Sequence, residues 1–210
     1  MTSQAQIEIG FWRDLLRQKG TPENFLAQRQ EDWQDFATHL PELADFLKNA
    51  ADRKEGDATP ATKVLEVGCG LISPLEFSEG SAEITAIDPL VGAYQDLIDL
   101  HGRRVRYLQE SGEAIAFEDG TFDAVVCINV IDHTPNANHM EQEMRRVLKT
   151  GGKLFFGVNF DQALSPAHYG LWNRECVDDL LKEGWNLVEC RTDERAEHNQ
   201  TRYWAVYEKV

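Results

Sequence analysis

Two glycines flank a single residue at the end of an apolar run, Lys63-Val64-Leu65-Glu66-Val67-Gly68-Cys69-Gly70. At the carboxyl end of a first strand such glycines permit positive φ and let a ligand approach the backbone without a Cβ in the way, as nucleotide sites require. A glycine turn after a strand is also ordinary structure, so the pattern needs company. It has some: the run Ile84-Thr85-Ala86-Ile87-Asp88 ends on an acid about 20 residues after the turn, where a carboxylate can accept hydrogen bonds from both hydroxyls of a ribose. That spacing fits adenosine. A pyrophosphate fingerprint wants a third glycine, and its position is Ser73, followed by Pro74. The chain has no G-x-x-x-x-G-K-[ST] loop either, and Gly151-Gly152-Lys153 reads as a turn before a strand, so triphosphate chemistry is disfavoured.

The candidate base is His133, in Asn129-Val130-Ile131-Asp132-His133. An imidazole titrates near neutrality, and this one follows a strand tip. The competing reading is structural: it caps the next helix or packs beside a ligand. Asp132 either orients it or, the expected case, is an exposed loop acid. His139 and Glu143 lie one helical turn apart without an H-E-x-x-H pattern, so no metal is expected. Cys69, Cys127, Cys176 and Cys190 show no C-x-x-C spacing and read as free, mostly buried thiols.

The elements that must position these residues follow from periodicity. Apolar residues at helical spacing fill residues 1–60, with Thr21-Pro22 as an N-cap followed by proline and Pro41 starting or bending a helix. Residues 51–60 read as a linker, which divides the chain into an N-terminal helical cap (1–60) and a domain spanning 61–210. There, β-branched runs alternate with helical patterns, the mark of a mainly parallel sheet covered by helices. Strands are predicted at Lys63–Val67, Glu83–Asp88, Val105–Gln109, Phe122–Asn129, Lys153–Asn159, Asn186–Arg191 and Thr201–Glu208. Helices are predicted at Gly92–His101, Ala137–Leu148 and Asn173–Glu183, with a short one after Pro74. The last two strands have no helix between them and should form an antiparallel hairpin at one edge.

In this order and spacing the motifs resemble the class I S-adenosylmethionine-dependent methyltransferases, over residues 62 to about 160. Val64-Leu65-Glu66-Val67-Gly68-Cys69-Gly70 is similar to that family's first motif and Ile84 to Pro89 to its second. Ser111 to Phe117 is similar to its adenine-side turn, Gly120 to Val126 to its fourth strand, and Leu148 to Leu154 to the turn into its fifth. The resemblance implies an α/β fold, Rossmann-like, with a seven-stranded mainly parallel sheet flanked by helices. It also implies S-adenosylmethionine as the cofactor. Glu66, Gly68 and Gly70 would surround the methionine part of the donor, Asp88 would hold the ribose and Leu90 would lie against the adenine. Ser111, Gly112 and Glu113 match the turn after the third strand, where family members often carry an acid at the position of Ser111. Asn129 would stand beside the methyl group, with His133 just beyond.

In open parallel sheets ligands sit beyond the carboxyl ends of the strands, so the loops after the fourth and fifth strands should wall the acceptor. Asn159, His168, Tyr169, Trp172 and Asn173 are the residues placed there; Tyr169 and Trp172 can equally pack the loop onto the sheet. The N-terminal helices should cover the donor site while burying Phe11, Trp12, Phe25 and Trp33.

Composition bounds the partners. The chain has 210 residues, with 42% hydrophobic and 27% charged, enough for a core burying roughly 70% of the unfolded surface. With 21 Lys+Arg against 36 Asp+Glu and a net charge of −15, broad engagement of phosphate backbones is disfavoured, so no nucleic acid partner is expected. No secretory leader or bilayer-length apolar run is visible, which points to a cytoplasmic protein without a membrane partner. The expected activity is methyl transfer to an oxygen or nitrogen of a small polar metabolite. Its rival is a catalytically inactive donor-binding partner or regulatory protein, which the departures at Ser73 and Ser111 would favour. A nicotinamide oxidoreductase is disfavoured by the missing third glycine. Oligomeric state is not legible.

Overall fold

A computed structural model describes residues 3–50, 61–160, 168–195 and 200–210. The linker 51–60 lies outside the described residues. The chain parts into two compact units, Met1–Gln109 and Glu110–Val210.

The first unit holds α1 (Ser3–Lys19), α2 (Pro22–His39), α3 (Pro41–Asn49), β1 (Lys63–Val67), a 3-10 helix (Pro74–Phe77), β2 (Glu83–Ile87), α4 (Val91–Tyr94) and β3 (Arg106–Leu108). The second holds β4 (Phe122–Ile128), a 3-10 turn (Ile131–His133), α5 (Ala137–Val147), β5 (Leu148–Phe160), α6 (Arg174–Leu180), β6 (Trp185–Arg195) and β7 (Gln200–Lys209). The strands form a seven-stranded sheet in the order β3-β2-β1-β4-β5-β7-β6. The pairs β1 with β2, β2 with β3 and β4 with β5 are parallel, while β7 runs antiparallel to both β5 and β6. This is a Rossmann-like sheet flanked by helices and preceded by an N-terminal helical segment, with the expected closing hairpin at its edge.

Local chemistry explains the elements. The Thr21 hydroxyl accepts the backbone N–H of Asn24 at 3.2 Å, and Pro22 occupies the first turn of α2. Pro41 opens α3. The β1 residues Val64 to Val67 are all buried, as parallel strands covered on both faces must be. Ile9 of α1 and Phe25 of α2 join Leu71, Ile72, Val91, Tyr94, Ile98 and Leu100 in one core cluster, with Trp12 packed against it. Phe11 departs from expectation: it is 56% exposed, because the stripe that docks α1 runs through Ile9, Trp12 and Leu16 instead.

The predicted helix Gly92–His101 shrinks to α4, Val91–Tyr94. Ile98 and Leu100 are both buried. Residues two apart lie on opposite faces of a helix, so the chain leaves helical geometry to bury both. The fifth strand starts earlier than predicted: it runs from Leu148 through Gly151-Gly152, with a register shift between Phe122 and Ala124 in its pairing to β4. β6 likewise runs on to Arg195. Only two of the four cysteines, Cys69 and Cys127, are buried; Cys190 is exposed because its edge strand has a neighbour on one side alone. No helix among the described residues is long and apolar enough to cross a membrane.

The turn from Ser111 to Phe117 is held by α5. The Arg146 guanidinium donates to the carbonyls of Ile115 (2.8 Å) and Phe117 (2.7 Å) and pairs with Asp119 and Glu143, while the Glu143 carboxylate also accepts the Ile115 N–H at 2.9 Å. Hydrogen bonding from Arg146 holds the Glu143 carboxyl down, to about 2. The stabilisation from this carboxylate is therefore present above its unfolded value near 4.5 and is lost as pH falls through about 2. Arg146→Ala should lower unfolding free energy by roughly 1–3 kcal/mol, measured by urea denaturation at pH 7. The deficit relative to wild type should shrink as pH is lowered toward 2.

Candidate functional site

In the first unit, the turns after β1 and β2 share one carboxylate. Asp88 is buried; its Oδ2 accepts the Gly70 N–H at 3.1 Å and its Oδ1 the Leu90 N–H at 2.9 Å. Gly68 and Gly70 both have positive φ, 71° and 62°, the region that favours glycine. The Gly68 N–H reaches Ile87 O at 2.8 Å, closing the β1 turn onto β2. Leu90 is half-buried at the start of α4 and packs on the cluster described above.

Glu66 lies inside β1 and bonds the Ser73 hydroxyl through its Oε2. Burial pushes the Glu66 carboxyl up to about 7, opposed by Ser73 and by the Arg29 guanidinium. A buried carboxylate in that state is stabilised by a cation brought to it. Ser73, at the third-glycine position of a pyrophosphate fingerprint, is itself fully buried. Its Oγ also accepts the Leu75 N–H at 3.0 Å, and its own N–H reaches the Tyr107 hydroxyl at 3.1 Å. A serine before proline is an N-cap signature, and that signal was available in the sequence; the bond to Glu66 was not. Gly70 has a further neighbour. A Cβ there would run into Cζ2 of Trp12, so the indole rests against the glycine turn. The Arg29 guanidinium lies 5.5 Å over the same indole and donates to Ile72 O at 2.8 Å.

In the second unit the Ser111 hydroxyl accepts the Glu113 N–H at 3.2 Å, and Ser111 O accepts the Ala114 N–H at 3.0 Å. The serine shapes the turn in which Gly112 is buried. The Glu113 carboxylate bonds the hydroxyl of Thr134, the residue after His133. Asn129, at the tip of β4, is the only non-glycine residue with positive φ among the described residues, at 54°. Asparagine tolerates that region better than most residues, and the strained position marks the end of β4 as special. Its N–H reaches Gly157 O on β5 at 2.8 Å.

Asp132 corrects the expectation of an exposed loop acid. Its side chain is 4% exposed, and its Oδ1 has no hydrogen-bond partner among the described residues. The loop after β5 lies beside it: Tyr169 N–H donates to Asp132 O at 2.8 Å, and His168 Nε2 lies 3.7 Å from Asp132 Oδ2. His133 Nε2 lies 3.9 Å from the same oxygen, and the two imidazole centroids are 4.5 Å apart. One buried carboxylate thus has two imidazoles around it, from the loops that strand topology placed together. Asn159 is half-buried near the end of β5, Trp172 is half-buried and Tyr169 is 52% exposed. Asn173 serves as N-cap of α6, its Oδ1 accepting the Cys176 N–H at 2.9 Å. His139 is exposed and Glu143 is engaged by Arg146.

A family model described as a methyltransferase domain matches residues 65–156. A ubiquinone biosynthesis O-methyltransferase of Xanthomonas oryzae pv. oryzae (strain PXO99A) is 39% identical over 181 residues, covering 67% of this chain and 74% of the relative. One of the same name from Pseudomonas putida (strain GB-1) is 33% identical over 198 residues, covering 77% and 84%. Among solved structures, the Burkholderia thailandensis 1,6-didemethyltoxoflavin-N1-methyltransferase, crystallised with its acceptor and S-adenosylhomocysteine, aligns with a TM-score of 0.61 at 18% identity, covering 90% of this chain and 86% of that one. With the motif order, the sheet and relatives of this identity in agreement, the chain belongs to the class I S-adenosylmethionine-dependent methyltransferases.

Proposed function

We propose that the acceptor of this S-adenosylmethionine-dependent methyltransferase is a small polar metabolite methylated on oxygen or nitrogen, with oxygen favoured. The observation that carries this reading is the imidazole pair on the buried Asp132 carboxylate, a group suited to taking a proton from a hydroxyl. The names of the O-methyltransferase relatives favour oxygen. We place the activity in the cytoplasm, where free thiols such as Cys69 and Cys127 stay reduced. The departures that would suit a donor-binding protein without turnover have local explanations: Ser73 bonds Glu66, and Ser111 shapes its own turn.

The residue roles rest on the family resemblance together with the local chemistry. Gly68 and Gly70 offer backbone to the methionine part of the donor, and the raised Glu66 carboxyl suits its ammonium. Asp88 accepts the ribose hydroxyls, and Leu90 lies against the adenine. The turn Ser111-Gly112-Glu113 serves the adenine side, and Asn129 stands at the methyl group. The donor supplies a methyl already activated on a sulfonium, so the protein's part is to align the acceptor, exclude water and remove a proton. His133 removes it; Asn159, His168, Tyr169 and Trp172 orient the acceptor.

Three outcomes test these roles. Asp88→Ala should weaken S-adenosylhomocysteine binding by roughly 1–3 kcal/mol, read by calorimetry on protein shown to be folded by circular dichroism; unchanged affinity would refute the ribose role. For Glu66 the sign runs from its raised folded value: its contribution to the stability of the free protein is present below the unfolded 4.5 and lost as pH rises through about 7. A bound ammonium favours the ionised form, so affinity should climb between pH 6 and about 7, level off above, and release a proton detectable by calorimetry in buffers of different ionisation enthalpy. Glu66→Gln should abolish that slope. His133→Ala should cut turnover of labelled donor with a panel of phenols and amines by about a hundredfold or more. Wild-type rates in that variant would make the histidine structural.

A further inference from the structure

We propose that Glu113 and Thr134 are positioning residues that link the adenine-side turn to the base loop, so that a seated donor sets the His133 imidazole for the acceptor. The proposal rests on the methyltransferase reading above and deepens it, adding a coupling between the two substrates of that site.

The loop 129–136 hangs His133 between two anchors. On one side stands Asp132, whose carbonyl accepts the Tyr169 N–H at 2.8 Å and so joins the loop after β5. On the other stands Thr134, which is buried and whose hydroxyl donates to the Glu113 carboxylate. The same hydroxyl oxygen accepts the Asn136 N–H at 3.2 Å, and Asn136 caps α5 by accepting the His139 N–H at 3.1 Å. A threonine hydroxyl has a single proton to give. With a lone pair turned to Asn136, that proton is directed at Glu113. Between the anchors the His133 N–H closes the 3-10 turn onto Val130 O at 2.9 Å. The base is thus the sequence neighbour of both anchors.

The bond to Thr134 adds little to the shape of the turn itself. Ser111 closes that turn by accepting the Glu113 and Ala114 N–H groups. Glu143 and Arg146 of α5 hold it again at Ile115 and Phe117. The Glu113 side chain leaves this braced turn and bonds the residue after the base. Its acceptor is a carboxylate, which makes the bond stronger than one between neutral groups.

An adenine resting on Ser111, Gly112 and Glu113 restricts the motion of the turn. The restriction passes through Glu113 and Thr134 to the peptide that carries His133, and the imidazole is held where the acceptor's proton is collected. Small errors there are expensive, since a misplacement of about 1 Å can cost about a hundredfold in rate. The coupling is reciprocal: an acceptor engaged by the base loop tightens the hold on the donor by the same factor.

The test follows the His133 ring by proton–carbon NMR of the full-length protein, its resonance identified by its loss in His133→Ala. Adding S-adenosylhomocysteine should move that resonance in the wild type. Thr134→Val keeps the side-chain shape and removes the hydroxyl; there the movement should shrink about threefold or more, and Thr134→Ser should restore it. Calorimetry on the same samples should show that Thr134→Val still binds S-adenosylhomocysteine. With a methylated phenol or amine, kcat should fall about tenfold in Thr134→Val while KM for the donor stays within about threefold. Should Thr134→Val fold poorly, Glu113→Ala, which leaves the bond between Thr134 and Asn136 in place, gives the same NMR readout. An equal movement in wild type and Thr134→Val overturns the link. Wild-type protein that binds S-adenosylhomocysteine with no movement of His133 also overturns it, and leaves the methyltransferase reading standing. Wild-type protein that binds no S-adenosylhomocysteine removes the donor reading, and the link with it.

Discussion

The Asp88 carboxylate accepts the Gly70 N–H on one oxygen and the Leu90 N–H on the other, so the turns after β1 and β2 hang on a single buried charge. A desolvated anion is stable only while such donors are supplied, and charge-assisted bonds of this kind are stronger than neutral ones. The glycines at positions 68 and 70 supply the positive φ that turns their backbone toward β2. Around this constraint the rest of the first unit arranges itself: Ser73 bridges Glu66 and the 3-10 helix, and Trp12 and Arg29 bring α1 and α2 onto the same turn. The N-terminal helices are thus packed into the unit through the glycine turn and its core cluster.

A different principle organises the second unit. Its β4 ends on an asparagine in the left-handed region, its loops carry the titratable groups, and its hairpin of β6 and β7 completes the sheet. The buried Asp132 carboxylate is to the loops after β4 and β5 what Asp88 is to the turns after β1 and β2. Asp88 accepts a backbone N–H on each oxygen. Asp132 has imidazoles rather than backbone donors beside its Oδ2.

Methyl transfer from a sulfonium asks little of a protein beyond alignment, dryness and disposal of a proton. In the first unit the carboxylates are tied locally, Asp88 to the glycine turn and Glu66 to Ser73. In the second, the imidazoles at 133 and 168 stand around the buried Asp132 carboxylate. Serines at 73 and 111, which depart from commoner family residues, turn out to be bonded within their own turns.

By itself the sequence determined the α/β class, seven strands, the glycine turn, an acid at the end of the second strand, the N-cap at Thr21 and the helix start at Pro41. All of these are written in neighbours within a few residues or in a two-residue or 3.6-residue period. It misjudged what depends on competition for burial: Phe11 faces outward while Ile9 and Trp12 dock, and the helix after β2 stops at Tyr94 because both Ile98 and Leu100 must be covered. Asp132 and His168 were legible as residue types and not as a pair. They lie on loops after different strands, and no local pattern states that one becomes buried and the other turns toward it. That meeting was decided by the parallel pairing of β4 with β5, which brings the two loops to the same end of the sheet.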